Sequence, residues 1–360
     1  MSAVAPASPR ASQDEGGLAG LEARGAVRRG SWRLLVLLVL CGVLVLVVLA
    51  SIAVGARQIP LGTVLDALLD PSDADDEHIV VRSLRVPRTV AGLLVGVALG
   101  LAGAVMQGVT RNPLADPGLL GVSAGASFAV VFGISVLGVG SVLGYIWFAF
   151  AGAGVASVVV YALGAIGRGG ATPVKLALAG AAVTSFLLSM TTAMLLVDQS
   201  TLDEYRFWAV GSVAGRDPDV IAQLAPFIVV GTVMALAAAP ALNSLALGDD
   251  VARSLGSRVG VVRMFAAGSV VLLVGAATAL AGPIAFVGLT IPHVARAITG
   301  PDYRWVLAYS MVLAPILLVG SDVIGRIVAR PGELQVGIVT AVVGAPFFVM
   351  LVRRRRLAEL

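Results

Sequence analysis

The stretch VPRTVAGLLVGVALGLAGAVMQGV, residues 86–109, decides the fold class of this chain. Beyond its first turn it carries no charged side chain, and about 20 apolar residues suffice to cross a bilayer as an α-helix. Gly92, Gly96 and Gly100 recur at every fourth position and Gly103 follows, so one face of this helix has almost no side chains. In lipid, such a face allows another helix backbone to approach closely. The stretch therefore predicts a membrane-spanning helix at the centre of a bundle.

Similar apolar runs recur along the rest of the chain. The 360 residues are 58% hydrophobic and 13% charged, with a mean hydropathy of +0.97, whereas soluble domains carry about 25% charged residues. We predict an all-α polytopic membrane protein with about ten transmembrane helices. The eighth run is short and contains Pro292, which predicts a partial or tilted helix. The predicted spans are residues 33–54, 86–109, 118–138, 142–167, 174–197, 220–241, 262–281, 283–298, 305–328 and 335–352.

The arginines indicate how the bundle is oriented. Clusters of arginines stand immediately before the first run and after the last: Arg24, Arg28, Arg29, Arg33 and Arg353 to Arg356. The positive-inside rule then places both termini in the cytoplasm, which requires an even number of spans. The same rule leaves Arg168 and Lys175 inside, and the acidic stretch Asp73 to Glu77 falls outside.

This orientation divides the chain into three parts. Residues 1–32 are polar and rich in Ala, Ser and Arg, which predicts a disordered cytoplasmic tail. Residues 33–356 are predicted to form a single ten-helix transmembrane domain, and residues 357–360 a cytoplasmic C-terminal tail. Cys41, the only cysteine, lies in the first apolar run and excludes a disulfide within the chain. We expect its side chain to be buried.

Some arginines lie on the side where the rule does not place them. Arg82, Arg85 and Arg88 precede or open the second span at its external end, and Arg326 lies near the external end of the ninth. One explanation is that they extend to the membrane interface or contact lipid phosphates. The other is that they form a cationic docking surface for an acidic external partner. Asp322 lies four residues before Arg326, so these two side chains can pair on one helix face.

The sequence lacks the motifs of an enzyme that hydrolyses nucleotide. A P-loop requires Gly-Lys followed by Ser or Thr, but the only lysine, Lys175, follows Val174. Ser123 matches a GxSxG motif, yet it opens an apolar span instead of following a strand. The cations form no basic face interleaved with aromatic residues, so we expect no nucleic-acid partner. Active transport would therefore need energy from another subunit.

A segment between the sixth and seventh spans, residues 242–256, is predicted to lie in the cytoplasm. Gly248 permits a turn, Asp249 is a favourable N-cap and Gly256 can end a short helix. Val251, Ala252 and Leu255 would share one apolar face, which could insert into a groove of a partner. The alternative is an ordinary solvated loop. The candidate coupling residues are Gly248, Asp249, Asp250, Val251, Ala252, Arg253, Leu255 and Gly256.

Three blocks of sequence together resemble the permease subunits of ABC importers for ferric siderophores, haem and cobalamin. The first comprises RVPR at 85–88, GAVMQG at 103–108, RNPLADPG at 111–118 and LGVSAGA at 120–126. The second comprises GPIAFVGL at 282–289 and IPHVAR at 291–296, and the third ELQVGIVT at 333–340 with GAPFF at 344–348. Gln335 departs from the pattern, because this family usually has Pro after Glu-Leu, and the long polar N-terminal tail lies outside it.

The resemblance implies a ten-helix permease in the bacterial cytoplasmic membrane, two copies of which form the translocation pathway as a homodimer or as a heterodimer with a sibling chain. Two cytoplasmic ABC ATPases would bind the segment Gly248 to Gly256 and would hold the ATP and Mg²⁺, so no cofactor is expected in this chain. An extracytoplasmic substrate-binding protein would dock on Arg85, Arg88 and Arg326, with lipid around the bundle. The expected packing and pathway residues are Gly92, Gly96, Gly100, Gly103, Asn112, Pro113, Gly121, Gly125 and Pro292.

The predicted cargo is chelated iron in the form of a ferric siderophore. Few ionisable groups lie inside the predicted spans, and His78 and His293 are the only histidines, so the pathway is not built to coordinate a bare ion. Haem or cobalamin is the alternative cargo within the same family. Outside that function, the alternatives are an ion-coupled secondary transporter, a membrane scaffold or channel without pumping, and an exporter.

Overall fold

The structure is a computed structural model that describes residues 9–55, 58–70, 75–140, 142–167 and 172–353. Over these ranges it consists of helices joined by loops and turns. A π-helical turn, Val80–Arg85, joins the third and fourth helices, and a 3-10 helix, Pro117–Leu120, precedes the fifth. The α-helices are α1 (Pro9–Ala53), α2 (Leu61–Leu69), α3 (Asp76–Ile79), α4 (Val86–Thr110), α5 (Val122–Ser135), α6 (Val142–Ala165), α7 (Pro173–Val197), α8 (Gln199–Ala209), α9 (Pro218–Ala246), α10 (Asp249–Ser254), α11 (Val259–Ala281), α12 (Val287–Thr299), α13 (Tyr303–Val328) and α14 (Val336–Arg353).

Among the described residues, seven helical segments are long and apolar enough to cross a membrane. They are Gly30–Ala53, Asp76–Thr110, Gly144–Ala165, Pro173–Val197, Pro218–Ala246, Val259–Ala281 and Tyr303–Val328. Two shorter apolar helices, Val122–Ser135 and Val336–Met350, join them, and the predicted partial eighth span is α12, which has 13 residues. The all-α polytopic class is confirmed, and the helices of the described residues agree with a count of about ten.

The chain divides into two compact units, Met1–Val43 and Leu44–Leu360. In the first unit, Leu34, Leu38 and Val39 are exposed on α1, which is the surface that a helix presents to lipid. Cys41 is exposed as well. The expectation that Cys41 is buried is therefore wrong, because an apolar side chain on a spanning helix is as stable against lipid as inside the bundle.

The first helix is longer than its predicted span. It begins at Pro9 and not near residue 33, so the segment expected to be a disordered tail is helical from residue 9 onward. Strong helix formers such as Ala, Arg, Leu and Glu recur through this segment and favour a continuation of the helix. Its cytoplasmic location stays a prediction. Residues 1–8 and 357–360 lie outside the described residues, as do Asp73, Arg168 and Arg354 to Arg356.

Within the second unit, α4 is the most enclosed spanning helix, and its glycine face packs on α13. A Cβ atom on Gly96 would lie 2.6 Å from the Cα atom of Pro315. A Cβ on Gly100 would lie 2.8 Å from a backbone oxygen of α13, and one on Gly92 would lie 3.0 Å from the Val319 side chain. The close approach predicted from the glycine spacing is confirmed. It places α4 in the centre of the bundle.

A second close approach joins α5 to α6. A Cβ atom on Gly125 would overlap the carbonyl group of Gly152, so these two backbones touch. Gly121 has a different role, because it stands before α5 with φ +71°. The left-handed conformation costs glycine little. Gly121 therefore sets the turn at the start of α5, and only Gly125 takes the predicted packing position.

Candidate functional site

Arg326 is almost completely enclosed near the end of α13, at 1% exposure. One of its guanidinium nitrogens donates to the carbonyl oxygens of Ser51 and Val54, each at 2.8 Å, and the other donates to the Ser51 hydroxyl at 2.8 Å. Asp322, one turn earlier on α13, pairs with the same guanidinium at 3.0 Å. The predicted Asp322–Arg326 pair is confirmed. Through its hydrogen bonds to Ser51 and Val54, Arg326 also binds the end of α1.

Two further arginines cap the same end of α1. Arg85 donates to the carbonyl oxygens of Ile52 at 2.8 Å and Ala53 at 2.7 Å, and Arg330 donates to that of Gly55 at 2.9 Å. The last carbonyl groups of a helix have no partner within the helix, and the helix dipole makes this end partly negative. Cationic donors at this position are therefore stabilising, and they join α1 to the segments around α4 and α13.

Arg88 lies in the same cluster between two carboxylates. Its Nε and Nη2 atoms donate to Asp322 at 2.9 and 2.8 Å, and its Nη1 atom donates to Glu333 at 2.6 Å. A planar guanidinium suits such two-point binding of a carboxylate. We call Arg85, Arg88, Arg326, Asp322 and Glu333 the arginine cluster.

The arginine cluster brings together the three arginines predicted to dock a partner. Their guanidinium groups, however, are directed at α1 and at carboxylates of the same chain, and Arg85 and Arg326 are buried. The exposed member is Glu333. Sequence reasoning missed the capping contacts because every residue has a backbone carbonyl, so the end of α1 carries no side-chain pattern that marks it. Docking by these residues stays a prediction.

At the opposite end of α4, the Asp249 carboxylate pairs with three arginines. Its carboxylate lies 3.0 Å from Arg263, 3.2 Å from Arg111 and 3.9 Å from Arg253. We call these four residues the aspartate clamp. Arg111 stands at the end of α4 and Arg263 in the first turns of α11. The clamp therefore links α10 to two spanning helices.

The predicted role of Asp249 as an N-cap is wrong. The N-cap position is occupied by Gly248 at φ 105°, without a side-chain cap, and Asp249 is the first residue of α10. Only glycine adopts this backbone conformation readily, and it turns Asp249 toward the arginines. The predicted short helix is present and ends at Ser254, with Gly256 at φ 83° just beyond it.

The apolar residues of α10 divide between the bundle and the surface. Ala252 is buried, whereas Val251 and Leu255 are exposed. Asp250 is exposed and pairs with Arg253 at 2.7 Å. Val251 and Leu255 therefore form a small exposed apolar surface on a helix that the aspartate clamp holds in place.

Pro292 interrupts the backbone hydrogen bonds of α12, and a side chain of α4 donates to the carbonyl group that is left free. A proline inside a helix has no N–H to donate to the carbonyl four residues earlier, which here is that of Gly288. Gln107 of α4 donates from Nε2 to the carbonyl oxygens of Gly288 at 3.3 Å and Leu289 at 3.2 Å. The Oε1 atom of Gln107 accepts from Arg296 of α12. Gln107 thus ties the two helices together where the Gly103 and Gly288 backbones touch.

The loop between α4 and α5 is ordered by its own polar side chains. The Asn112 side chain accepts from the Leu114 N–H at 2.9 Å, across Pro113, and the Asp116 side chain accepts from the Gly118 N–H at 2.7 Å. Burial raises the pKa of Asp116 above its usual range, although this hydrogen bond opposes the shift. Asn112 and Pro113 therefore shape the loop that follows Arg111 of the aspartate clamp.

The sequence that forms this bundle matches a known family. Residues 43–354 match the sequence pattern of the FecCD transport family. The chain belongs to this family. It is a multi-pass membrane protein of the permease type, as the resemblance implied.

Two of the relatives that match most of the chain are transport permeases of bacteria. The ferric enterobactin transport system permease protein FepD of Escherichia coli is 46% identical over 318 residues, which is 87% of this chain and 94% of FepD. The Bacillus subtilis permease YfiZ, named for siderophore transport, is 40% identical over 327 residues, which is 91% of this chain and 98% of YfiZ.

A solved structure confirms the fold. The inward-facing conformation of a metal-chelate-type ABC transporter superposes with a TM-score of 0.78 at 24% identity, over 89% of this chain and 99% of that chain. At this identity the likeness concerns the arrangement of the helices and not the cargo.

Proposed function

We propose that the chain is the membrane-spanning permease subunit of an ATP-driven ABC importer for chelated iron, with a ferric siderophore as cargo. The observation that carries the proposal is the 46% identity to a ferric enterobactin permease across 94% of that protein. A second siderophore permease at 40% identity supports the same cargo class. Haem and cobalamin remain the alternative cargoes.

The aspartate clamp supports coupling to a separate ATPase. In the proposed orientation α10 lies in the cytoplasm, with Val251 and Leu255 exposed to a partner. A displacement of α10 would act on α4 through Arg111 and on α11 through Arg263, because both arginines bind the Asp249 carboxylate. The partner ATPases would bind ATP and Mg²⁺, and this chain would contribute the mechanical connection.

The arginine cluster then lies at the external end of the bundle, where a substrate-binding protein would dock. Arg88 is shared between Asp322 and the exposed Glu333. A carboxylate of the binding protein would compete with Glu333 for Arg88, while Arg85 and Arg326 remain on α1. We therefore expect Arg88 to contact the binding protein directly, and Arg85 and Arg326 to support the docking surface by holding α1.

The same cluster argues against ion-coupled transport. Asp322 is held between Arg88 and Arg326, at 2.8 and 3.0 Å, so its carboxylate is not offered to a coupling cation.

A second permease chain, identical or a sibling, would complete the pathway. Both termini would lie in the cytoplasm of a bacterial inner membrane.

Uptake by a strain that lacks this chain tests the proposal. Radioiron bound to a catecholate siderophore, to a hydroxamate siderophore or to haem, and labelled cobalamin, are supplied separately. We expect loss of uptake of one ferric siderophore, with recovery from the plasmid-borne gene and dependence on ATP. Uptake that persists under ATP depletion and stops when the proton gradient is dissipated would establish a secondary transporter instead.

A further inference from the structure

The short helix α2 follows the first spanning helix and packs against α3 and the π-helical turn. Val64 and Ala67 are buried in a small core with Ile59 and Val81, and Ile52 of α1 packs against that core. The membrane segment Gly30–Ala53 has 24 residues, or about 36 Å of helix, against a hydrocarbon thickness of about 30 Å. The last turn of α1, and α2 with it, therefore lies at the level of the membrane surface.

The helix α2 has three distinct faces. At about 100° per residue, the buried Val64 and Ala67 occupy one sector. Four leucines occupy the next sector, and the polar residues occupy the third, so the sector centres are separated by about 120°. The leucines are between 44% and 82% exposed: Leu61, Leu65, Leu68 and Leu69. The polar sector contains Gly62, Thr63, Asp66 and Asp70.

This geometry is that of a helix at a boundary between water and lipid. One sector holds α2 to the protein, and the remaining two are an apolar sector and an acidic sector. An interfacial helix needs such a pair, because its apolar face enters the acyl boundary by about 5–10 Å while the opposite face stays hydrated. Four exposed leucines on nine residues would be a costly surface in water.

The neighbouring surface indicates which occupant covers the leucines. Leu46 and Leu49 of the last turns of α1 are exposed, and a spanning helix exposes such residues to lipid. Leu84 of the π-helical turn, the element that packs against α2, is exposed as well. The leucine face of α2 thus follows closely in the chain on the lipid-facing leucines of α1, and lipid is the occupant that suits such a face at the end of a spanning helix. The polar face of α2 carries Asp66 and stays in water.

We propose that α2 is an interfacial helix whose leucine face lies in the outer leaflet of the bilayer. Lipid is its partner, and the assignment of leaflet rests on the proposed function. The helix then holds the capped end of α1 at a fixed depth. The arginine cluster next to it is thereby kept at the height of the membrane surface.

Fluorescent labels at single cysteines test this proposal. In a Cys41→Ser background, Leu65→Cys, Leu68→Cys and the matched Asp66→Cys are each labelled with an environment-sensitive dye. The full chain is placed with its partner subunits in nanodiscs of phosphatidylethanolamine and phosphatidylglycerol. Aqueous iodide and a lipid with a nitroxide at a shallow acyl carbon serve as quenchers. The readout does not depend on the cargo or on transport.

We expect the labels at 65 and 68 to be quenched by the nitroxide lipid and to have iodide quenching constants about fivefold below that at 66. Equal iodide access at 65, 66 and 68 overturns the proposal. Protection from iodide without nitroxide quenching also overturns it, because the leucines would then be covered by protein. The proposal is also overturned if the labels at 65 and 68 are protected from iodide only when the binding protein is added.

Discussion

Arg326 and Ser51 are 275 positions apart in the chain, yet one arginine binds both the carbonyl oxygen and the hydroxyl of that serine at 2.8 Å. The serine hydroxyl also contacts that of Thr89 on α4 at 2.8 Å. The ends of α1 and α13 and the start of α4 therefore meet at one buried polar point. Cationic donors satisfy the free carbonyls of α1, which would otherwise be left unpaired in a membrane protein.

Replacement of Arg326 should destabilise the fold. Arg326→Ala leaves the Ser51 and Val54 carbonyls without their donor and removes one of the two partners of Asp322. We expect a loss of about 3 kcal/mol, measured as a lower thermal unfolding temperature in detergent. Arg304→Ala, at an exposed position, is the control. Equal unfolding temperatures of the two variants, with binding of the external protein reduced only by the first, would support a docking role for Arg326 instead.

The glycine contact between α4 and α12 should not tolerate a methyl group. A Cβ atom on Gly103 would overlap the backbone of Gly288, whereas nothing lies within 4 Å of the Cβ position on Gly154 of α6. Gly103→Ala should cost about 1–3 kcal/mol or more, since two backbones must separate. Gly154→Ala should be neutral. Size-exclusion profiles and unfolding temperatures check this, and a normal Gly103→Ala protein would refute the close packing.

Neutralising Asp249 should uncouple ATP hydrolysis from transport. Asp249→Asn weakens its pairs with Arg111 and Arg263, which connect α10 to α4 and α11. Charge-assisted hydrogen bonds of this kind contribute about 1.5–3 kcal/mol, so transport per ATP hydrolysed should fall about tenfold. The measurement compares ATPase rate and uptake in proteoliposomes that contain the whole complex.

The matched control is Asp203→Asn. Asp203 is exposed and pairs with Arg206 of the same helix, α8, at 3.1 Å. This variant should keep the coupling ratio of the unaltered protein. Equal ratios for both variants would show that the aspartate clamp does not transmit motion.

The half-buried Asp116 should make stability depend on pH. Burial raises its pKa above the ordinary 3.8, so the native state binds this proton more tightly than the unfolded state. The stability that this group contributes is complete below the ordinary pKa and is lost as pH rises through the folded value. Asp116→Asn should retain the bond to the Gly118 N–H and flatten the fall of unfolding temperature that occurs as pH rises above the ordinary pKa of Asp.

Asp116→Ala provides the comparison, because it removes the cap as well as the charge. It should lower stability by about 1 kcal/mol and also flatten the pH dependence. If both variants keep the pH dependence of unfolding temperature of the unaltered protein, another titratable group is responsible for that dependence.

Much of the architecture could be predicted from apolar runs and glycine spacing. Gly96 and Gly100 identified the face that packs on α13, because a missing side chain is visible in the sequence. Asp249 was placed in the correct short helix but in the wrong role. The preference of Asp for N-cap positions is a local property, whereas the arginines that pair with Asp249 come from α4 and α11. Gln107 was missed, although a polar side chain in an apolar run was a signal.

The sequence by itself determined that the chain is a bundle of apolar helices with a close-packed second span and a short helix between the sixth and seventh. These properties follow from local composition and period, which act over a few turns. Only the tertiary structure decided what the charged residues do. Arg85 and Arg326 hold α1, and Asp249 holds α10, because unpaired charges and carbonyls in an apolar medium must find partners wherever the packing of distant helices brings them.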